Sequence, residues 1–367
     1  MPTRRQFVWS AAGIGAGAIA IVAADGELSR DRYDTATQAL WREPTTRART
    51  LTAIQHALVR AATLAPSSHN TQCWKFVLEP DTITILPDLT RRCPAVDPDD
   101  HHLYISLGCA AENIHHAATA HGLHASGAPL PSHAGYRVQL SASTARVSSL
   151  YAATTSRQSA RNVYDDRPLS SSELVALERA GASERVSLML LTERPVLTGI
   201  LDAVVAANAI QMQDAAFVAE LRQWIRFSCR EALDHRDGLF SGISGNPSIP
   251  RWLGEAMFGM VFTEKGETAR YVEQIRSSAG IAVFVGAESD PAHWKEVGRC
   301  FERFALQCTV LGINTAMINQ PVEVPSARSQ FAAQLGLGTK RPDLVVRFGR
   351  GPEMPRSLRR AVSAVIA

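Results

Sequence analysis

A chain of 367 residues with 46% hydrophobic side chains can bury a core large enough for two units or one duplicated unit. Its net charge of +3 gives no electrostatic case for nucleic acid as the main partner, so the basic residues that matter are local ones. The six cysteines (Cys73, Cys93, Cys109, Cys229, Cys300 and Cys308) form no CxxC or zinc-ligand spacing, and most of them read as small core residues.

The N-terminus carries Arg4 and Arg5 ahead of a charge-free run to Ala24, which is short and glycine-rich for a membrane span. The basic head, weakly apolar middle and small residues at Ala23–Ala24 predict an export signal over residues 1–24. Thr-Arg-Arg-Gln-Phe also resembles the twin-arginine motif, which implies transport of a folded protein to the periplasm or cell envelope. Membrane anchoring through residues 6–24 is the alternative. A cytoplasmic protein follows if the segment is only a basic tail.

Leu51, Ile54, Leu58, Ala61 and Ala62 recur at helical spacing and predict a helix over 51–64. "CWKFVLEPDTITILPD" reads as two strands around a Glu-Pro-Asp turn. "HHLYISLGCAAENIHHAATAHGL" predicts a long helix stopped by Gly122, and "YRVQLSA" another strand. Seven of the eleven histidines fall between His101 and His133. His121 and His124 have helical spacing, but no carboxylate joins them, so no metal site is expected. Residues 141–155, rich in Ser, Ala and Thr, read as a connector.

The second half repeats the order. "SSELVALERAG" predicts a helix capped by Ser171 or Ser172, followed by the strand "VSLMLLT" and two helices. Residues 236–266 form a loop-rich insertion with six glycines and an apolar complement that includes Phe240, Trp252, Met257, Phe258 and Met260. "GIAVFVGA" is a buried strand, "HWKEVGRCFERFALQCTVLGIN" a long helix and "DLVVRFG" a last strand. In the two long helices a glycine stands fourteen residues before a second one: Gly108 before Gly122, and Gly298 before Gly312. This predicts an internal duplication with halves at 25–145 and 146–367.

Four motifs carry a family resemblance. "LAPSSHNTQCWKF" closely matches the Ala-Pro-Ser-Ser-x-Asn-x-Gln-Pro-Trp motif of the nitroreductase-like flavoproteins. "SRQSARNVYDDRPLSSSEL" resembles the Arg-x-Ser-x-Arg opening of that fold. "LGINTAMINQPVEVP" and "RPDLVVRFGRGPEMPRSLRR" resemble its late helix, loop and basic tail. The match covers roughly residues 54–360 and is nearest to the tandem, Acg-like FMN-binding branch, in which one chain holds both halves of the usual homodimer. Cys73 departs from the pattern, standing where the family usually has proline.

The resemblance implies an α+β nitroreductase-like fold and FMN as cofactor. Pro66, Ser67, Ser68 and Asn70 would face the ring, whose edge needs short donors and acceptors, and Gln72 would either join them or support the loop itself. Arg157, Ser159 and Arg161 alternate, so an extended segment aims them one way, and arginine suits phosphate through its paired N–H groups. Gln320, Arg347 and Arg356 complete the expected binding set, with Arg359 and Arg360 beside them in the tail. The ring loop occurs only in the first half and the arginine motif only in the second, "WREPTTRARTLTA" being no match. One FMN site per chain, between the halves, is therefore expected, and a monomer would suffice.

The family chemistry implies hydride transfer from NADH or NADPH through FMN to a small acceptor of nitro or quinone type, with no protein acid or base required. No Rossmann fingerprint is present, and relatives need none because the nucleotide stacks on the flavin. A rival reading is an FMN-sequestering protein whose insertion stays closed over the ring. A third is reaction of reduced flavin with oxygen.

Overall fold

The computed structural model describes residues 16–43, 50–130, 135–244 and 246–367. The twin-arginine motif and the first part of the export segment lie outside the described residues, as do His133, Gly245 and residues 44–49 of the first-half segment compared with the arginine motif.

The described residues begin with helix α1 (Ala16–Trp41), which runs unbroken through Ala23–Ala24. Its last part belongs to the fold. Tyr33 and Trp41 are buried, and they donate hydrogen bonds to Arg356 O (2.6 Å) and Ser357 O (2.9 Å) in the C-terminal tail. Helix α2 (Leu51–Thr63) begins at the Thr50 cap and buries Leu58, Val59, Ala61 and Ala62. Leu51 is exposed. The expected hairpin forms from β1 (Trp74–Glu79) and β2 (Thr82–Pro87), and α3 (His101–Ala120) follows, ended by Gly122 at φ +78°. β3 (Leu123–Pro129) was not expected. Its Ala, Gly and Pro content reads as turn, yet pairing with β4 (Tyr136–Ala142) holds it as an edge strand. The connector contains one short helix, α4 (Ser149–Ala153).

The second half starts with α5 (Ser171–Gly181) and β5 (Val186–Leu191). The cap of α5 is Ser170 rather than Ser171 or Ser172, because Glu173 reaches back to complete a capping box. Then come α6 (Arg194–Gln213), α7 (Ala215–Trp224), the short strand β6 (Ile225–Arg226), α8 (Cys229–His235) and β7 (Leu239–Phe240). The insertion is less loop-rich than expected: it contains α9 (Arg251–Val261) and runs into α10 (Glu264–Arg276). The chain continues through β8 (Gly280–Gly286), α11 (Pro291–Val310), β9 (Asn314–Met317), α12 (Gln320–Glu323), α13 (Pro325–Gln334) and β10 (Leu344–Gly349).

Two four-stranded antiparallel sheets result, in the orders β1-β2-β4-β3 and β5-β8-β10-β9. The orders correspond strand for strand. What is a two-residue turn between β1 and β2 becomes the segment from α6 to α10 between β5 and β8. Between the sheets α3 lies against α11, and one hydrophobic cluster includes Leu107, Ala111, Phe301 and Phe304 from these two helices. Helix α6 is long and apolar enough to cross a membrane by length and composition, but Leu197, Ile200, Leu201 and Val204 bury it in a second core with Ile281, Val283 and Phe331. All six cysteines are buried, in line with the reading of most of them as core residues, and all six are free.

Candidate functional site

The site is built where the loop after α2 meets the second half. That loop is held in costly backbone geometry: His69 (φ 47°), Asn70 (φ 54°) and Gln72 (φ 54°) all occupy the left-handed region. Its side chains maintain this shape. Ser67 Oγ accepts from the Gln72 backbone N–H at 2.9 Å. Gln72 is fully buried; its amide donates to Arg236 O (2.9 Å) and accepts from the Arg360 N–H (2.7 Å). Asn70 Nδ2 donates to Gly238 O (3.0 Å) and Leu358 O (3.2 Å), and Asn70 O accepts from the Gly238 N–H (3.2 Å). The polar run is therefore tied to the insertion at Arg236–Gly238 and to the C-terminal tail. Pro66 is buried, and Ser67 and Ser68 are half-buried.

Two arginines close the helix that leads into the loop. Arg157 Nη2 donates to Leu64 O at 2.9 Å, and Arg359 Nε donates to Thr63 O at 2.9 Å. Guanidinium groups at a helix C-terminus satisfy its last carbonyls and complement its dipole. Burial pushes the Arg359 pKa down to about 9, with nearby Arg157 adding to the effect. Arg157 is 2% exposed, and its Nε lies 3.1 Å from Glu302 Oε1, an ion pair off the line of the N–H. Burial pushes the Glu302 carboxyl up, and Arg157 opposes that.

The expected phosphate set thus divides by environment. Arg347 is fully buried, donating to Gln274 O, Ala160 O and Asn162 O, with its guanidinium over the Tyr164 ring at 4.0 Å. Arg356 donates to Thr155 O and Ser156 O and lies over the Trp41 ring. Ser159 bridges to Thr315 at the edge of β9. Arg161 alone of the expected cations is exposed, and no acidic group among the described residues pairs with it. The segment carrying it is fixed from behind by Arg347 and by Gln274, whose amide donates to Arg161 O at 2.6 Å.

Arg161 and the first-half loop influence each other electrostatically. Arg161 lies within electrostatic reach of His69, and also of Glu267, Tyr271 and Glu323. Burial, with Arg161 and His102 nearby, pushes the His69 pKa down to about 4. Gln320 donates to Tyr271 Oη at 2.6 Å, and its own Oε1 is buried with no partner among the described residues. Asn70 Oδ1 is likewise buried and unpartnered. These are acceptors that the surrounding protein leaves open, and a buried acceptor costs free energy until something donates to it. His69, His102, Glu267, Tyr271 and Glu323 were not foreseen as site residues. His69 and Glu323 fall inside the quoted motif stretches but at positions given no role, while His102, Glu267 and Tyr271 lie outside them, so only the folded chain brings out their placement. A cleft of about 380 Å³ lies beside the site, lined in part by Trp224, Arg226, Asp237 and Arg251 at the base of the insertion.

No family model matches the chain. The chain is 23% identical over 319 residues to "Putative NAD(P)H nitroreductase Rv3131" of Mycobacterium tuberculosis, across 83% of this chain and 88% of the relative. It is 24% identical over 323 residues to "Putative NAD(P)H nitroreductase acg" of the same organism, across 84% and 93%. Solved structures that resemble it include the FMN-dependent nitroreductase NfnB of Mycobacterium smegmatis in complex with NADPH (13% identity, 59% of this chain and 91% of that one, TM-score 0.39). A nitroreductase with bound FMN from Bacteroides fragilis overlaps similarly (15%, 59% and 96%, TM-score 0.36). Overlaps this loose assign no residue.

Proposed function

We propose that this chain is an FMN-dependent NAD(P)H oxidoreductase acting on a small electrophilic acceptor of nitro or quinone type. The observation that carries the reading is the strained first-half loop with Arg161 of the second half in electrostatic reach of its His69, together with buried acceptors on Asn70 and Gln320 that lack donors among the described residues. Asn70 Oδ1 and Gln320 Oε1 suit the N–H groups of an isoalloxazine edge, and the unpaired Arg161 suits a phosphate. When bound, FMN would supply two-electron transfer between the nicotinamide and the acceptor. The chain would contribute binding and orientation. Arg347 and Gln274 hold the Arg161 segment, Gln72 holds the loop, and Arg157 and Arg359 hold the helix behind it.

The matching strand orders support an internal duplication, with halves at 25–145 and 146–367, in which each half keeps one part of a single site. An export signal or anchor over 1–24 remains part of the proposal, as does a monomeric protein. A second reading has one specific observation in its favour. The insertion is clamped at its base, where Asp237 pairs with Arg91 and Arg226 and Asn70 joins Gly238. A cover fixed in this way would make the protein an FMN store without turnover.

The test is the purified protein itself. About one FMN per chain should be released on denaturation, and NADPH should bleach the bound flavin within seconds under anaerobic conditions. Two flavins per chain, or none after reconstitution, would remove the shared-site reading. Bound FMN reduced by dithionite but not by NADPH would select the storage reading.

A further inference from the structure

We propose that His69, Cys93 and Glu220 form a site for a divalent metal ion of the zinc class. The three residues come from separate parts of the chain: the loop after α2, the segment between β2 and α3, and α7. Their ligand atoms nonetheless lie within 4.8 Å of one another. Imidazole nitrogen, thiolate sulfur and carboxylate oxygen together suit Zn²⁺, with a fourth position left for water. A thiolate ligand disfavours Ca²⁺ and Mg²⁺, which take oxygen.

Three further observations point to a ligand here. His69 Nε2 is buried and has no hydrogen-bond partner among the described residues, an unusual state for an imidazole nitrogen. Its residue is also held at φ 47°, backbone strain of the kind that collects at binding sites. Glu220 is fixed in place, accepting from the Ala95 and Val96 backbone N–H groups at 2.8 and 3.1 Å. Each carboxylate oxygen keeps a second lone pair.

The surroundings of Cys93 are acidic, with Glu220, Asp97 and Glu323 within electrostatic reach. On the His69 side Arg161 and His102 oppose a cation, and the carboxylates outnumber them. Binding would turn the Cys93 thiol into a metal thiolate and release its proton to solvent. The ion would pin the loop after α2 to α7. The inference does not depend on the flavin reading, since none of its three ligands is among the side chains proposed to touch FMN.

The test uses full-length protein, stripped of metal with a chelator and titrated with Co²⁺, read as difference spectra. One Co²⁺ per chain should bind with tetrahedral d–d bands and a thiolate-to-cobalt charge-transfer band, and Zn²⁺ should displace it. Cys93→Ser should abolish the charge-transfer band. Glu220→Gln should keep the band and weaken Co²⁺ binding at least tenfold, roughly the loss that even an outer-shell partner causes. Absence of a thiolate band in the wild type overturns the proposal, as does a band unchanged in Cys93→Ser. If Cys93→Ser does not fold, the half-buried Glu220→Gln decides, and unchanged affinity there overturns the site.

Discussion

Gly108 on α3 and Gly298 on α11 make the same contact in opposite directions. A β carbon at Gly108 would fall 1.9 Å from Lys295 O, and one at Gly298 would fall 1.9 Å from Ile105 O. Each glycine thus meets the carbonyl three residues before the other, as a local two-fold axis between the helices requires. The neighbour is backbone in each case, so no side-chain rotation relieves the clash. Gly108→Ala and Gly298→Ala should each destabilise the protein by about 3 kcal/mol or more, the upper end of overpacking, in urea titration. Gly259→Ala is the control. It has no neighbour within 4 Å on α9 and should be neutral or gain up to about 1 kcal/mol from helix propensity. Equal effects at all three positions would refute the close crossing.

The same axis relates two buried carboxylates, Glu112 and Glu302, each four residues beyond its crossing glycine. Their partners differ. Glu112 faces Arg299 (3.0 Å) and Arg303 (3.1 Å) from the opposite helix, with His116 at 3.4 Å. Burial alone would raise its pKa, but His116, Arg303 and Arg299 together hold it well below the usual carboxylate range. Its folded pKa is therefore lower than its unfolded one. The stability it contributes is complete above the unfolded carboxylate pKa of about 4.3 and is lost as pH falls from there toward the folded value. Glu112→Gln should cost about 2 kcal/mol near neutral pH, less than the ~3–5 kcal/mol of a fully buried pair because the arginines reach solvent. Below the ordinary carboxylate range the difference between wild type and variant should shrink. Urea midpoints across that pH range check both points.

Much of this arrangement is legible in the sequence, and what escaped has physical reasons. The helices at 51–63, 101–120 and 291–310 announce themselves through apolar spacing and terminal glycines, and the buried strands through β-branched runs. β3 was hidden because Leu-His-Ala-Ser-Gly-Ala-Pro has little strand propensity and is held by β4 alone. The helix α9 was masked by the glycines and prolines around it. At the candidate site, the motif pointed to the loop and the Arg161 segment. It could not tell a guanidinium that faces solvent from one that supports the backbone, because Arg157, Arg161 and Arg347 look alike until their burial is known.

That difference separates the arginines experimentally. Arg161→Ala should leave the urea midpoint nearly unchanged and weaken FMN binding by roughly 1.5–3 kcal/mol, the scale of a charge-assisted hydrogen bond. Lysine there should recover only part of the loss, because the fork geometry is missing. Arg157→Ala should instead destabilise the fold by about 3–5 kcal/mol, since it leaves Glu302 buried without its partner. Flavin retained by Arg161→Ala at full affinity would move the phosphate elsewhere. A stable Arg157→Ala variant would refute the supporting role of that residue.

Asp237 offers a test of turnover against storage. Its carboxylate is 8% exposed and pairs with Arg91 and Arg226, and Arg91 also donates to Thr71 O in the loop after α2. One side chain therefore links the base of the insertion to the loop expected to face the flavin ring. Asp237→Asn keeps the shape and removes the charge. If closure of the insertion limits access, weakening the closed form by about 1.4 kcal/mol should speed NADPH reduction of bound flavin roughly tenfold. Dithionite, being small, should reduce wild type and variant at similar rates, and FMN content should not change. Stopped-flow absorbance under anaerobic conditions measures all of this. Equal NADPH rates in the two proteins, with FMN bound in each, would mean that the clamp at Asp237 does not control access to the flavin. The insertion would then be a fixed wall of the site.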